Sequence, residues 1–106
     1  MSYRYMRVIV FFDLPIATST DKKEYRTFRR FLIKSGFVMM QQSVYNKIVP
    51  NSTAADSIIA SIRRNRPTKG AVMALRVTEK QFARIEFIVG DKRTGFLDND
   101  DKLIIL

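Results

Sequence analysis

Val8-Ile9-Val10-Phe11-Phe12-Asp13-Leu14-Pro15 is the stretch that decides the fold. Five consecutive residues of high strand propensity end in a lone carboxylate, and Pro15 cannot continue a hydrogen-bonded ladder. A run that is apolar on both faces predicts a central strand, over residues 4–13, covered on at least one side by helices. A polar loop, Ala17 to Thr20, leads into a segment crowded with Lys and Arg. Asp21 with Glu24 three residues later predicts a capping-box start for that helix, and Gly36 predicts its stop. At about 100° per residue, Tyr25, Phe28, Phe31, Leu32 and Ser35 share one arc, and Lys22, Lys23, Arg26, Arg29, Arg30 and Lys34 share the other.

Further along, Phe37 to Val49 is long for one strand and is interrupted by Gln41-Gln42-Ser43, which favours two strands joined by a tight connection over one bulged strand. Pro50 to Thr53 supplies a turn with a ready cap, and Ala55, Ile58, Ile59 and Ile62 carry helical spacing over residues 54–65. Arg63, Arg64 and Arg66 complement the dipole at that helix's end. Ala71 to Val77 is the next strand, and Thr78 with Gln81 forms a capping box for a short turn around Phe82. Ile85 to Val89 fits strand or helix. The acidic connector 91–101 precedes an apolar tail, Lys102 to Leu106, with strand character, which must pair with its own sheet or with another chain. The sum is an α+β, ferredoxin-like βαββαβ sandwich over residues 1–90 with an extra C-terminal strand.

The chain of 106 residues fits one small domain, and 19 Lys and Arg against 10 Asp and Glu give a net charge of +9. That excess points to a polyanionic partner. It belongs to residues 1–90, because Asp91, Asp98, Asp100 and Asp101 cluster beyond them. The absence of Cys excludes thiol chemistry and disulfides and fits a cytoplasmic location; the absence of His removes the usual general base. No stretch reaches membrane-spanning length, so no membrane partner is expected. Chemistry, if present, therefore runs through Asp13.

These residues resemble a known family. The apolar first strand ending in Asp13, the basic helix Lys22 to Gly36, the segment Gln41-Gln42-Ser43-Val44-Tyr45 and the later Val77 to Phe82 are similar, in order and spacing, to the small CRISPR-associated spacer-acquisition proteins, the Cas-two family. The resemblance implies a ferredoxin-like homodimer that bridges two dimers of the CRISPR integrase along a captured double-stranded DNA. It also implies a C-terminal strand, with Leu103, Ile104 and Ile105, added to the partner protomer's sheet, and Gln42 and Ser43 at an interface. Some members of the family are magnesium-dependent endonucleases acting on RNA or DNA, with the Asp that ends the first strand as metal ligand, here Asp13. Many place Tyr beside that Asp, where this chain has Phe12 and Leu14.

Three functions compete. In the first, the stripe Lys22, Lys23, Arg26, Arg29 and Arg30 grips duplex phosphates without reading sequence. A solvated helix face is the alternative, but like charges at i and i+4 repel by a few tenths of a kcal/mol, so an unbalanced stripe calls for a use. In the second, Asp13 from two protomers holds Mg2+ for phosphodiester cleavage, against the alternative that Asp13 caps the Leu14-Pro15 turn. The third, a single-stranded RNA-binding module, needs exposed aromatics, whereas Phe11, Phe12, Tyr25, Phe28 and Phe31 are expected in the core.

Overall fold

Alternation along the first strand divides its side chains between two faces of a sheet, and the faces meet different neighbours. The computed structural model describes residues 5–90. Its elements run β1 (Met6–Asp13), α1 (Ser19–Lys34), β2 (Val38–Gln41), β3 (Val44–Val49), α2 (Ser52–Arg64), β4 (Ala71–Thr78) and α3 (Glu79–Phe82). The strands are ordered β2-β3-β1-β4 with every neighbouring pair antiparallel, which is the ferredoxin-like arrangement. β1 is central as expected: Val10 lies opposite Tyr45 on one side and Ala74 on the other. The connector and the C-terminal strand expected over 91–106 lie outside the described residues.

Val8, Val10, Phe12 and Leu14 point into the helix layer, where they meet Phe28 and Leu32 of α1, Ala55 and Ile62 of α2, and Phe37, Tyr45 and Val49. Phe12 is the hub, edge-on to Phe28 at 5.2 Å and to Tyr25 at 5.8 Å, and stacked on Tyr45 at 5.7 Å between centroids. Phe11 does not join this core. The period of two turns it to the other face, opposite Val44 and Met73. That face also carries Ile9, and its neighbours Met73, Leu75, Ile48 and Val38 stay exposed.

Several local expectations shift by a few residues. The capping box of α1 is Thr18 with Asp21, not Asp21 with Glu24: Thr18 Oγ1 accepts from Asp21 N at 3.0 Å, and Asp21 Oδ2 accepts from Thr18 N at 3.2 Å. Gly36 ends the helix at φ +96°, a conformation open to glycine. α2 begins two residues before the expected 54, because Asn51 Oδ1 caps it by accepting from Ala54 N at 2.8 Å. The tight connection between two strands forms as expected: Gln42 and Ser43 make the β2–β3 turn, with Ser43 at φ +64° and its carbonyl accepting from Phe12 N at 3.0 Å. A register shift between Met39 and Gln41 adds a bulge just before that turn. Residues 85–89 are neither strand nor helix.

α3 closes one end of the second face. Its Glu79 binds Arg7 bidentately, Nε to Oε1 at 2.8 Å and Nη2 to Oε2 at 2.9 Å. Arg7 Nη1 donates to Asn46 Oδ1 at 2.7 Å, and the guanidinium lies 4.4 Å over the Phe82 ring. Arg7 is thus a buried cation whose donors are engaged, the condition under which burying a charge is tolerable.

Candidate nucleic-acid interface

The arc of α1 opposite Phe28 and Leu32 carries Lys22, Lys23, Arg26, Arg30 and Lys34, all exposed. Among the described residues none of them forms an ion pair. Arg29 sits at the flank of this ridge, where its Nε donates to the buried Tyr45 hydroxyl at 2.9 Å. A neutral phenol orients the guanidinium without cancelling its charge. All six cations predicted from the helical wheel are therefore brought to one side of the molecule.

The two carboxylates of α1 are spent elsewhere. Asp21 is buried in its capping box, where the Thr18 backbone N–H holds its carboxyl below the usual carboxylate range; Lys69 Nζ lies 3.7 Å away and acts in the same direction. Glu24, expected as a cap, instead reaches across to Thr68. It accepts from Thr68 N at 3.1 Å and from Thr68 Oγ1 at 2.9 Å to each carboxylate oxygen. This clasp spans 44 residues, so no local pattern announces it.

Arg63, Arg64 and Arg66 are exposed at the end of α2 as expected, and Arg66 Nη1 donates to the Arg63 carbonyl at 2.7 Å. Between this helix end and β4 lies a cleft of about 480 Å³ with Arg63, Arg66, Lys69 and Arg76 on its rim and Ile59 and Val72 among its apolar walls. Arg76 is paired to Asp56.

Asp13 ends β1 on the opposite side of the sheet from α1, in register with Ala71. It is exposed, and among the described residues no hydrogen bond or ion pair reaches its carboxylate. The turn-capping alternative therefore finds no bond. Gly70 crowds the Asp13 backbone from behind: a Cβ there would stand 2.6 Å from the Asp13 carbonyl oxygen and 2.9 Å from Leu14 Cδ2. Free carboxylate oxygens suit a hard cation, but the described residues hold no cluster of three or more metal-binding side chains. By its chemistry Asp13 could serve a magnesium ion as a single carboxylate ligand, with the remaining positions left to other groups. Ser43 faces Tyr25, hydroxyl to hydroxyl at 3.4 Å, and Gln42 is exposed; Leu103, Ile104 and Ile105 lie outside the described residues.

The family model for CRISPR associated protein Cas2 matches residues 6–85, which holds β1 with Asp13, the cationic helix and the Thr78 capping box. The chain belongs to the Cas2 family. Its similarity to two Cas2 relatives, each called CRISPR-associated endoribonuclease Cas2, runs over 101 residues: 52% identity with that of Treponema denticola, covering 95% of this chain and 100% of the relative, and 44% with that of Streptococcus mutans, covering 95% and 93%. A solved crystal structure of a Cas2 protein superposes with a TM-score of 0.57 at 20% identity, covering 95% of this chain and 99% of that one, and supports the Cas2 fold. Among the described residues of this Cas2 chain, no helix is long and apolar enough to cross a membrane.

Proposed function

We propose that this Cas2-family chain acts in CRISPR spacer acquisition as a homodimer that holds duplex DNA by its phosphates and bridges dimers of the CRISPR integrase, which performs the strand transfer. The observation that carries the reading is the α1 ridge, a row of exposed cations with no carboxylate partner among the described residues. From Lys22 to Lys34 the ridge extends about 18 Å at a rise of about 1.5 Å per residue. One DNA strand places a phosphate every 3.4 Å or so, so roughly five phosphates face it. Contacts of this kind carry no sequence information and release counterions. The expected result is duplex binding whose log affinity falls linearly with log salt, and Arg26→Ala with Arg30→Ala lowering that slope by about 2. A titration showing no salt-sensitive affinity ends this reading.

Charge also favours the dimer geometry. Two copies at +9 each repel, least so when their nearly charge-free sheet faces meet and the α1 ridges point outward. Met73, Leu75, Ile48 and Val38 on that face are exposed apolar side chains of the kind that mark an interface. Among the described residues β4 is an edge strand, and unpaired edges accept additional strands. The tail with Leu103, Ile104 and Ile105 from the partner protomer is the strand we assign to it, with Gln42 and Ser43 at the rim of the dimer.

A second reading, a magnesium-dependent endonuclease, is favoured by the exposed Asp13, whose carboxylate has no partner among the described residues, and by the endoribonuclease name of the relatives. Asp13 from each protomer would hold one Mg2+, which supplies charge neutralisation at a phosphodiester. Cleavage of RNA and DNA is compared with and without magnesium, for the native protein and Asp13→Ala. This reading expects magnesium-dependent cleavage that Asp13→Ala abolishes; cleavage persisting in Asp13→Ala rules the site out.

A further inference from the structure

Glu24 presents a contradiction on a surface that binds a polyanion. It is a carboxylate on the helix that carries the phosphate ridge, and a charge-only account makes it a defect whose removal tightens binding. Its geometry says otherwise. Both oxygens accept hydrogen bonds from Thr68, one of them also from the Thr68 backbone, so the carboxylate is turned away from the ridge and toward the segment joining α2 to β4. That segment carries Arg66 and Lys69. It is anchored again at its far end, where Gly70, at φ +87°, lies so close to the Asp13 carbonyl and Leu14 that no side chain fits between them. A loop fixed at both ends loses little entropy on binding, and its cations are held where the fold puts them.

We infer that the loop Arg66 to Lys69, with Arg63 at the end of α2, is a second element that contacts the phosphodiester backbone of a nucleic acid, and that Glu24 is the positioning residue that docks it beside the α1 ridge. The inference rests on the duplex-binding reading and extends it. Arg63 and Arg66 have no carboxylate partner among the described residues, and Lys69 has only Asp21 at 3.7 Å, with its own side chain 70% exposed. These three line the rim of the 480 Å³ cleft, a concave and positively charged setting that complements a phosphate chain.

The test is a duplex titration in about 50 and about 200 mM salt with the full-length protein and six variants. Arg66→Ala with Lys69→Ala lowers the salt slope by about 2 and weakens binding at least about tenfold at the lower salt. Glu24→Ala weakens binding about threefold in the otherwise native chain, although it removes a negative charge. In the Arg66→Ala, Lys69→Ala background the same change no longer weakens binding, because the clasp has nothing left to position. Glu24→Gln keeps an acceptor and falls between native and Glu24→Ala. Thr68→Val removes the hydroxyl's two bonds of the clasp, leaving only the backbone one, without changing charge, and weakens binding less than Glu24→Ala does, which keeps the inference testable should Glu24→Ala fail to fold. Tighter binding by Glu24→Ala in the native chain overturns the inference. So does an unchanged slope for Arg66→Ala with Lys69→Ala while Arg26→Ala with Arg30→Ala lowers it. Loss of salt-sensitive binding in the native protein itself is a different result, since it removes the duplex reading from which the loop's role follows.

Discussion

Val8, Val10 and Phe12 point from β1 into two helices, whereas Ile9 and Phe11, one residue away each time, point to a face where Met73 is 64% exposed and Leu75 49%. In its middle the strand is apolar on both sides, although Arg7 and Asp13 bracket the second. Its first side is satisfied by the helix layer, while among the described residues the second is covered chiefly at the Arg7 end, by α3. The difference shows that a strand's composition reports how much burial it needs, and the topology decides whether its own chain supplies it. The largest effect expected from breaking this comparison lies on the closed side. Phe12→Ala removes the ring that touches Phe28, Tyr25 and Tyr45 and costs about 3 to 5 kcal/mol, read as a lowered urea midpoint with an unchanged m-value.

Arg7 belongs to the second face yet is as buried as the core, and it separates two uses of a cation in this molecule. Among the described residues the guanidinium groups of Arg26 and Arg30 on α1 meet no carboxylate, while Arg7 is enclosed by Glu79, Asn46 and Phe82. Arg7→Met leaves the Glu79 carboxylate without its partner. Because that carboxylate is a third exposed, water relieves part of the loss, and the expected cost is about 2 kcal/mol rather than the larger penalty of a sealed pair. Adding Glu79→Met to Arg7→Met recovers part of this, since two apolar side chains need no partner, although the buried Asn46 Oδ1 still lacks the Arg7 donor. An unfolding series on the two single variants and the double variant measures the coupling. A double variant no more stable than Arg7→Met shows that α3 is held by something other than this pair.

Most of this architecture is legible in the sequence because it follows from local rules. The central strand shows in the two-sided apolar run, the cationic ridge in the period of α1, and the β2–β3 turn in the polar interruption at Gln42-Ser43. Short-range capping is legible to within a few residues, because Asp21 and Glu24 present the same spacing one turn after Thr18 and Asp21. What stayed hidden is long-range. Glu24 to Thr68 and Arg7 to Glu79 join residues 44 and 72 apart, and nothing in either neighbourhood marks the partner. For the candidate site, the helical period identifies which cations share a face, but it says nothing of the loop at Arg66 to Lys69 that the fold sets beside them. Phe11 shows the complementary error: an aromatic in an apolar strand looks like core until the strand's parity is fixed by the sheet.

The smallest effect on the fold, and the sharpest on the comparison, is expected from Met73→Lys with Leu75→Lys on the open face. Both side chains are about half exposed or more, so in an isolated protomer the two substitutions change stability by only about 0.5 kcal/mol each. In a dimer joined through this face, each protomer would instead bring two ammonium groups into a contact already burdened by the +9 charge of both copies. The expected outcome is a protein with near-native circular dichroism that sediments as a monomer at concentrations where the native chain sediments as a dimer. Duplex affinity then falls because one α1 ridge replaces two, and the salt slope drops toward half its native value. A variant that remains dimeric places the second copy elsewhere on the molecule. In that case the open face of β1, β3 and β4 needs a different cover, while the ridge on α1, lying across the sheet from it, stays as exposed as before.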